Sequence, residues 1–116
     1  MAIPSGSGSE TLKRGVFTET DTTEIKILDG VNLHLYTVLS IVITETVGAA
    51  EQFSLWLDAS AAGTNYEIVS YQNLGANETF IFNDRLVLMN TDELLFKSFG
   101  TCNIDIVISY IDQDWT

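Results

Sequence analysis

Two-residue periodicity over a long central segment is the feature that most restricts the fold. In Leu33-His34-Leu35-Tyr36-Thr37-Val38-Leu39-Ser40-Ile41-Val42-Ile43-Thr44 the odd positions read Leu, Leu, Thr, Leu, Ile, Ile. The even positions read His, Tyr, Val, Ser, Val, Thr. Successive side chains of a strand point to opposite faces, so this pattern predicts one long strand with an apolar odd face and a mixed even face. Phe53-Ser54-Leu55-Trp56-Leu57-Asp58 alternates in the same way, with Phe53, Leu55 and Leu57 inward. Ile104, Ile106, Ile108 and Tyr110 repeat it, opposed by Asn103, Asp105, Val107 and Ser109. Shorter extended runs fall at residues 24–28, 66–72, 78–82, 85–89 and 94–99, and no window carries an amphipathic helical period.

Turn chemistry separates these runs. Asp29-Gly30, Val47-Gly48, the Ala59 to Asn65 stretch with Gly63, Gly75-Ala76-Asn77, Asn83-Asp84, Asn90-Thr91-Asp92 and Gly100-Thr101 each interrupt the pattern. Spacings near ten residues and a single proline predict an all-β fold, an antiparallel β-sandwich or jelly roll of about eight strands. A chain of 116 residues matches one domain. That domain is expected over residues 11–116, behind a Ser/Gly-rich N-terminal arm at residues 1–10 that cannot bury enough surface to fold alone. The arm reads either as an expression scar or as a segment that orders on a partner.

Charge narrows the partners. Five Lys+Arg against sixteen Asp+Glu give a formal net charge of −11. Nucleic-acid affinity comes mostly from basic side chains at phosphates, and anionic membranes select basic segments, so neither partner is expected. The N-terminus has no basic region followed by an apolar one, as a signal peptide would. The longest apolar stretch, residues 38–43, is far below the ~20 residues of a membrane helix. An origin in the cytosol follows as the expectation.

Catalysis is not expected. His34 and Cys102 are the only residues of their types, so a Ser-His-Asp or Cys-His arrangement has a single candidate histidine. Two such ligands cannot complete a zinc site, and no metal or cofactor site is predicted. Asp58 with Asn65 offers loop oxygens for calcium, without the spacing of a calcium loop. Asp92-Glu93, Asp112 with Asp114, and Glu19 with Asp21 read as solvated charges of turns and tails. His34 reads as a surface or interface residue, and Cys102 as a buried free thiol within the last strand run.

The second sheet face is more informative. By parity Tyr36, Val38, Val42 and Trp56 project away from the core, where a sandwich normally carries polar residues. With Trp115 near the C-terminus, they form the candidate protein–protein interface.

A family resemblance runs through the same segments. It is carried by Met1-Ala2-Ile3-Pro4-Ser5-Gly6-Ser7-Gly8 with Leu12-Lys13-Arg14, by residues 35–44, and by Phe53-Ser54-Leu55-Trp56-Leu57. It continues through Leu74-Gly75-Ala76-Asn77-Glu78-Thr79-Phe80, Leu86-Val87-Leu88 and Asp105-Ile106-Val107-Ile108-Ser109-Tyr110. In this order the chain resembles the small β-sandwich virion proteins of tailed phages, particularly marine and cyanobacterial ones. The resemblance implies a structural virion protein, a capsid decoration or cement protein that binds the major capsid protein lattice as a homotrimer. Its place would be the virion, assembled in the host cytoplasm. Alternatives within the resemblance are a tail, neck or fibre component and a host-binding module. A carbohydrate-binding sandwich would use Trp56, Tyr36 and Tyr71 as stacking platforms.

Overall fold

Nine strands form in the computed structural model, which describes residues 8–115. They are β1 (Ser9–Glu19), β2 (Ile25–Asp29), β3 (His34–Glu45), β4 (Glu51–Asp58), β5 (Asn65–Leu74), β6 (Thr79–Phe82), β7 (Leu86–Met89), β8 (Glu93–Ser98) and β9 (Ile104–Asp114). One sheet has the order β1-β9-β3, with β6 and β7 pairing with successive halves of β3. The other has the order β2-β8-β4-β5. Every pairing is antiparallel. The fold is thus the antiparallel sandwich expected from the sequence.

The core lies between the sheets. Ile41, Ile43, Ile104, Ile106 and Ile108 face Leu28, Phe53, Leu55, Leu94 and Phe96, all fully or almost fully buried. Phe53 joins the two layers. Its ring stacks on Phe96 at 5.4 Å and meets the edge of Phe80, across the sandwich, at the same distance. Burying one such side chain is worth about 1.5–3 kcal/mol, so this layer carries most of the favourable energy.

The sequence reading lacks one strand, β1. Its inward positions Lys13, Gly15 and Phe17 and outward positions Leu12, Arg14, Val16 and Thr18 mix polar and apolar residues on both sides. The period-two test is therefore silent there. Ser9 and Glu10, read as part of the arm, pair with Asp114 and Gln113 in β9. Residues 1–7 of that arm lie outside the described residues.

A β-bulge in β3 corrects the parity. Val38 pairs with Tyr110 and Ser40 with Ser109, leaving Leu39 as an extra residue on β3. One extra residue exchanges the two faces of everything beyond it. Odd positions point inward only after the bulge, at Ile41 and Ile43; before it the even positions do. Tyr36 and Val38 are consequently core residues, not outward ones. Leu35 and Leu39 take the outward places.

Several acids expected in solvent are buried. Strand β9 continues to Asp114, so Asp112 is a buried strand residue and not part of a tail. Asp92 closes its turn by accepting the N–H groups of Ser60 at 2.8 Å and Met89 at 3.0 Å. Next to it the chain passes so tightly that a Cβ on Gly30 would lie within van der Waals overlap of the Asn90 and Asp92 carbonyls. Glu45 accepts the N–H groups of Val47, Gly48, Ala49 and Asn77. These donors hold its carboxyl below the usual range, that of Asn77 most strongly. Glu19 is buried as well, and desolvation pushes its carboxyl above the usual range.

Candidate protein interface

Strand register assembles an apolar surface on the outer side of the five-stranded sheet. One row across it reads Val16, Val107, Val42, Ile81. A second reads Leu12, Ile111, Thr37, Val87, and Leu35 stands beside Met89. Between the rows lie Arg14, Ser109 and Ser40, with the bulged Leu39 alongside. Leu12, Val16 and Ile81 are 73%, 65% and 57% exposed, so nothing in the chain's own described fold covers them. Two shallow depressions mark the surface, one walled by Leu12, Arg14, Leu39 and Ser109, the other by Val16, Thr18, Asp105 and Val107.

The opposite exterior is different. On the four-stranded sheet the row Lys26, Leu95, Trp56, Glu67 puts charges on both sides of a buried apolar pair. Trp56 points away from the core as its parity predicts, yet it is only 6% exposed. A buried indole offers no contact area, so Trp56 is removed from the interface on accessibility. Of the five expected residues, Val42 alone falls within the apolar outer surface. Tyr36 and Val38 face the core for the reason given above. Trp115 follows β9, donates its backbone N–H to the Leu33 carbonyl at 3.0 Å, and lays its ring against Gly8.

Residues missed by sequence reasoning complete the surface: Leu12, Val16, Ile81, Val87, Met89, Ile111. The available signal was the same-parity pair Leu12 and Val16 flanking Arg14, a weak one without the neighbouring strands.

The polar chemistry gathers elsewhere. Asp112, on the inward side of β9, accepts from Lys13 Nζ at 2.8 Å and lies 2.7 Å from His34 Nδ1. The carboxylate thereby ties β1 and β3 to the strand between them. It also holds the Lys13 ammonium above its usual range. His34 Nε2 is 3.4 Å from Asp114 Oδ1. His34 is thus a half-buried partner of two aspartates on the inner side, not an outward surface residue. Cys102 is buried just ahead of β9, outside the strand, and its thiol donates to the Glu19 carbonyl at 3.3 Å. Burial pushes the thiol upward. Asp58 accepts the Gly63 N–H at 2.9 Å, a turn closure in place of a calcium ligand set. Among the described residues no group of three His, Cys, Asp or Glu side chains is arranged to hold a metal ion.

No family model matches the chain, and no curated protein matches it by sequence. Solved structures match by fold. A chain of the T13 particle of infectious bursal disease virus is similar with a TM-score of 0.58 at 8% identity. The match covers 91% of this chain and 31% of that one, so this chain spans about a third of its length. A chain of the disulfide-linked pili of Bacillus endospore appendages has a TM-score of 0.58 at 8% identity, over 100% of this chain and 97% of that one. The pentamer-forming, histone-binding core of Drosophila NLP has a TM-score of 0.56 at 14% identity, over 91% and 99%. The acid-stable capsid of Helicobacter pylori bacteriophage KHP30 supplies another, TM-score 0.55 at 7% identity, over 95% of both chains. At these identities the likeness is one of fold: a β-sandwich that also occurs in viral particles.

Proposed function

We propose that this chain is a structural subunit of a phage particle, a capsid decoration or cement protein. It binds the capsid lattice as a homo-oligomer, a trimer on the resemblance to tailed-phage virion proteins. The observation that carries the proposal is the apolar outer side of the five-stranded sheet. A protein of net charge −11 has ample polar residues for solvent, yet this face presents Leu12, Val16, Ile81, Val87 and Met89 together. Contiguous exposed apolar area of this kind marks a surface covered by protein. The excess negative charge keeps a highly copied protein soluble and away from packaged nucleic acid. Occurrence of the same fold in a phage capsid and in a viral particle supports the reading.

The test is to locate the chain in purified particles by imaging and to count its copies. Hundreds of copies on the shell uphold decoration; a handful at one vertex would overturn it for a tail, neck or fibre role. Val16→Lys with Ile81→Lys should leave the fold intact and abolish attachment. A second reading, a host-binding module for glycans, has one favourable observation. Tyr71 is exposed and its ring stacks on Phe99 at 4.6 Å, a flat aromatic platform. Tyr36 and Trp56 are buried and contribute nothing to it. Glycan-array binding that disappears with Tyr71→Ala would establish that reading, and no binding by the parent protein would end it.

A further inference from the structure

Sheet edges present unpaired N–H and C=O groups, and stable monomers disrupt them. Three of the edges here are disrupted. Strands β6 and β7, which share one side of β3, are four residues each. Strand β2 has five residues and a register shift between Lys26 and Leu28. Strand β5 is long, but its pairing shifts twice, and Tyr71 adopts a left-handed φ of 48° there. The fourth edge is different. Strand β1 pairs with β9 through eleven consecutive residues without a shift, and it has no proline. Its one inward-pointing cation, Lys13, is already bound to Asp112 at 2.8 Å and so does not block an approaching strand.

We infer that β1 is an interface edge and that its partner is β1 of a second copy, antiparallel about a twofold axis at Leu12. The choice of partner rests on charge and pattern along the strand. An antiparallel twofold pairing centred on Leu12 sets Leu12 opposite its own counterpart, Glu10 opposite Arg14, and Thr11 opposite Lys13. Glu10, Leu12 and Arg14 share the outward side of the strand. The pairing therefore brings two opposite-charge pairs to flank one apolar pair, each of a kind that stabilises cross-strand contact. Centring on Arg14 would instead oppose two guanidinium groups. The Leu12-centred arrangement joins two five-stranded sheets into one ten-stranded sheet and makes their apolar outer faces continuous. It goes beyond the particle role, because it concerns a twofold contact between copies in solution that is separate from the threefold contacts of a trimer on the particle.

Cysteine cross-linking of the full chain tests it. Cys102 is buried, so the parent protein supplies a low background. Leu12→Cys should form an intermolecular disulfide on mild oxidation, since directly opposed strand residues come within disulfide reach. Val16→Cys should not, because its partner position in this register is residue 8. Arg14→Glu replaces two attractive pairs with two repulsive ones and should weaken association about tenfold by sedimentation equilibrium. The double variant Glu10→Arg with Arg14→Glu should restore it. Failure of restoration, cross-linking through residue 16 in place of 12, or a parent protein that never self-associates would each overturn the inference. None of these results bears on whether the chain sits on a particle, which the imaging experiment decides separately.

Discussion

Deleting single residues from β3 separates the bulge from the rest of the strand. Removing Leu39 makes Ser40 follow Val38, and every observed pair survives: Val38 with Tyr110, Ser40 with Ser109, Ile41 with Ile108. All inward side chains stay inward, and the loss is limited to one half-buried leucine and the local twist, within about 1.5 kcal/mol. Removing Val42 has no such escape. Either Ile43 moves to the outer face, or the bulge is absorbed and Ile41 moves outward while Ser40 enters the core. Each outcome expels a fully buried isoleucine, worth about 2–5 kcal/mol, and buries a hydroxyl, that of Thr44 in the first and of Ser40 in the second, at about 1–3 kcal/mol. The Val42 deletion should therefore cost at least about 3 kcal/mol, a large share of a total of roughly 6–17 kcal/mol for a domain this long. Equilibrium urea unfolding followed by tryptophan fluorescence measures both, with Trp56 buried in the native state. Equal destabilisation by the two deletions, or tolerance of the Val42 deletion, would refute the assignment of Leu39 as the residue that reverses the faces.

Three further outcomes are expected. Glu45 has a folded pKa below its ordinary value of 4.5, so it stabilises the fold above that value, and the contribution is lost as acid titrates it through the lowered one. Glu45→Gln should be less stable than the parent at neutral pH and show a shallower acid limb in thermal melts from pH 7 to 2. Glu19 has the opposite sign: its raised pKa means stability is greatest below 4.5 and falls as pH rises through the folded value. Glu19→Gln should melt higher than the parent at pH 8, the difference vanishing at low pH; a gain confined to acid would contradict this. Cys102, buried with its thiol pushed upward, should react with a thiol reagent only after denaturant is added, measured as released chromophore.

The long strands were readable because each has one apolar face against a single core: β3, β4 and β9 all declare themselves by alternation. The bulge was not, since Leu39 follows Val38 and apolar residues occur at both parities of this segment, so an extra residue leaves no visible break in the letters. Only its partner strand, where Tyr110 and Ser109 meet Val38 and Ser40, shows that a residue is unpaired. That missing fact turned Tyr36 and Val38 from core residues into apparent surface ones. Strand β1 was hidden for a different reason: it lies at an edge, with a lysine and a glycine on its inward side. The apolar outer surface was half seen. An apolar second face was evident, but its members come from β1, β3, β6, β7 and β9, and no sequence window contains five strands. Asp112 and Asp92 looked like ordinary solvated acids because nothing local reveals a distant lysine or backbone donor.

The position of β9 has a consequence for synthesis. It is the last strand of the fold to leave the ribosome, yet it sits between β1 and β3 in the middle of the larger sheet. Until it emerges, β1 has no partner in its sheet and β3 lacks its principal one. Until then the apolar residues of β3 wait with one side uncovered. Closing the sheet then joins segments about a hundred residues apart, the kind of long-range pairing that makes β-sandwiches fold in milliseconds to seconds. Folding of the sandwich therefore waits for β9, and the nascent chain that lacks it is the species most exposed to aggregation.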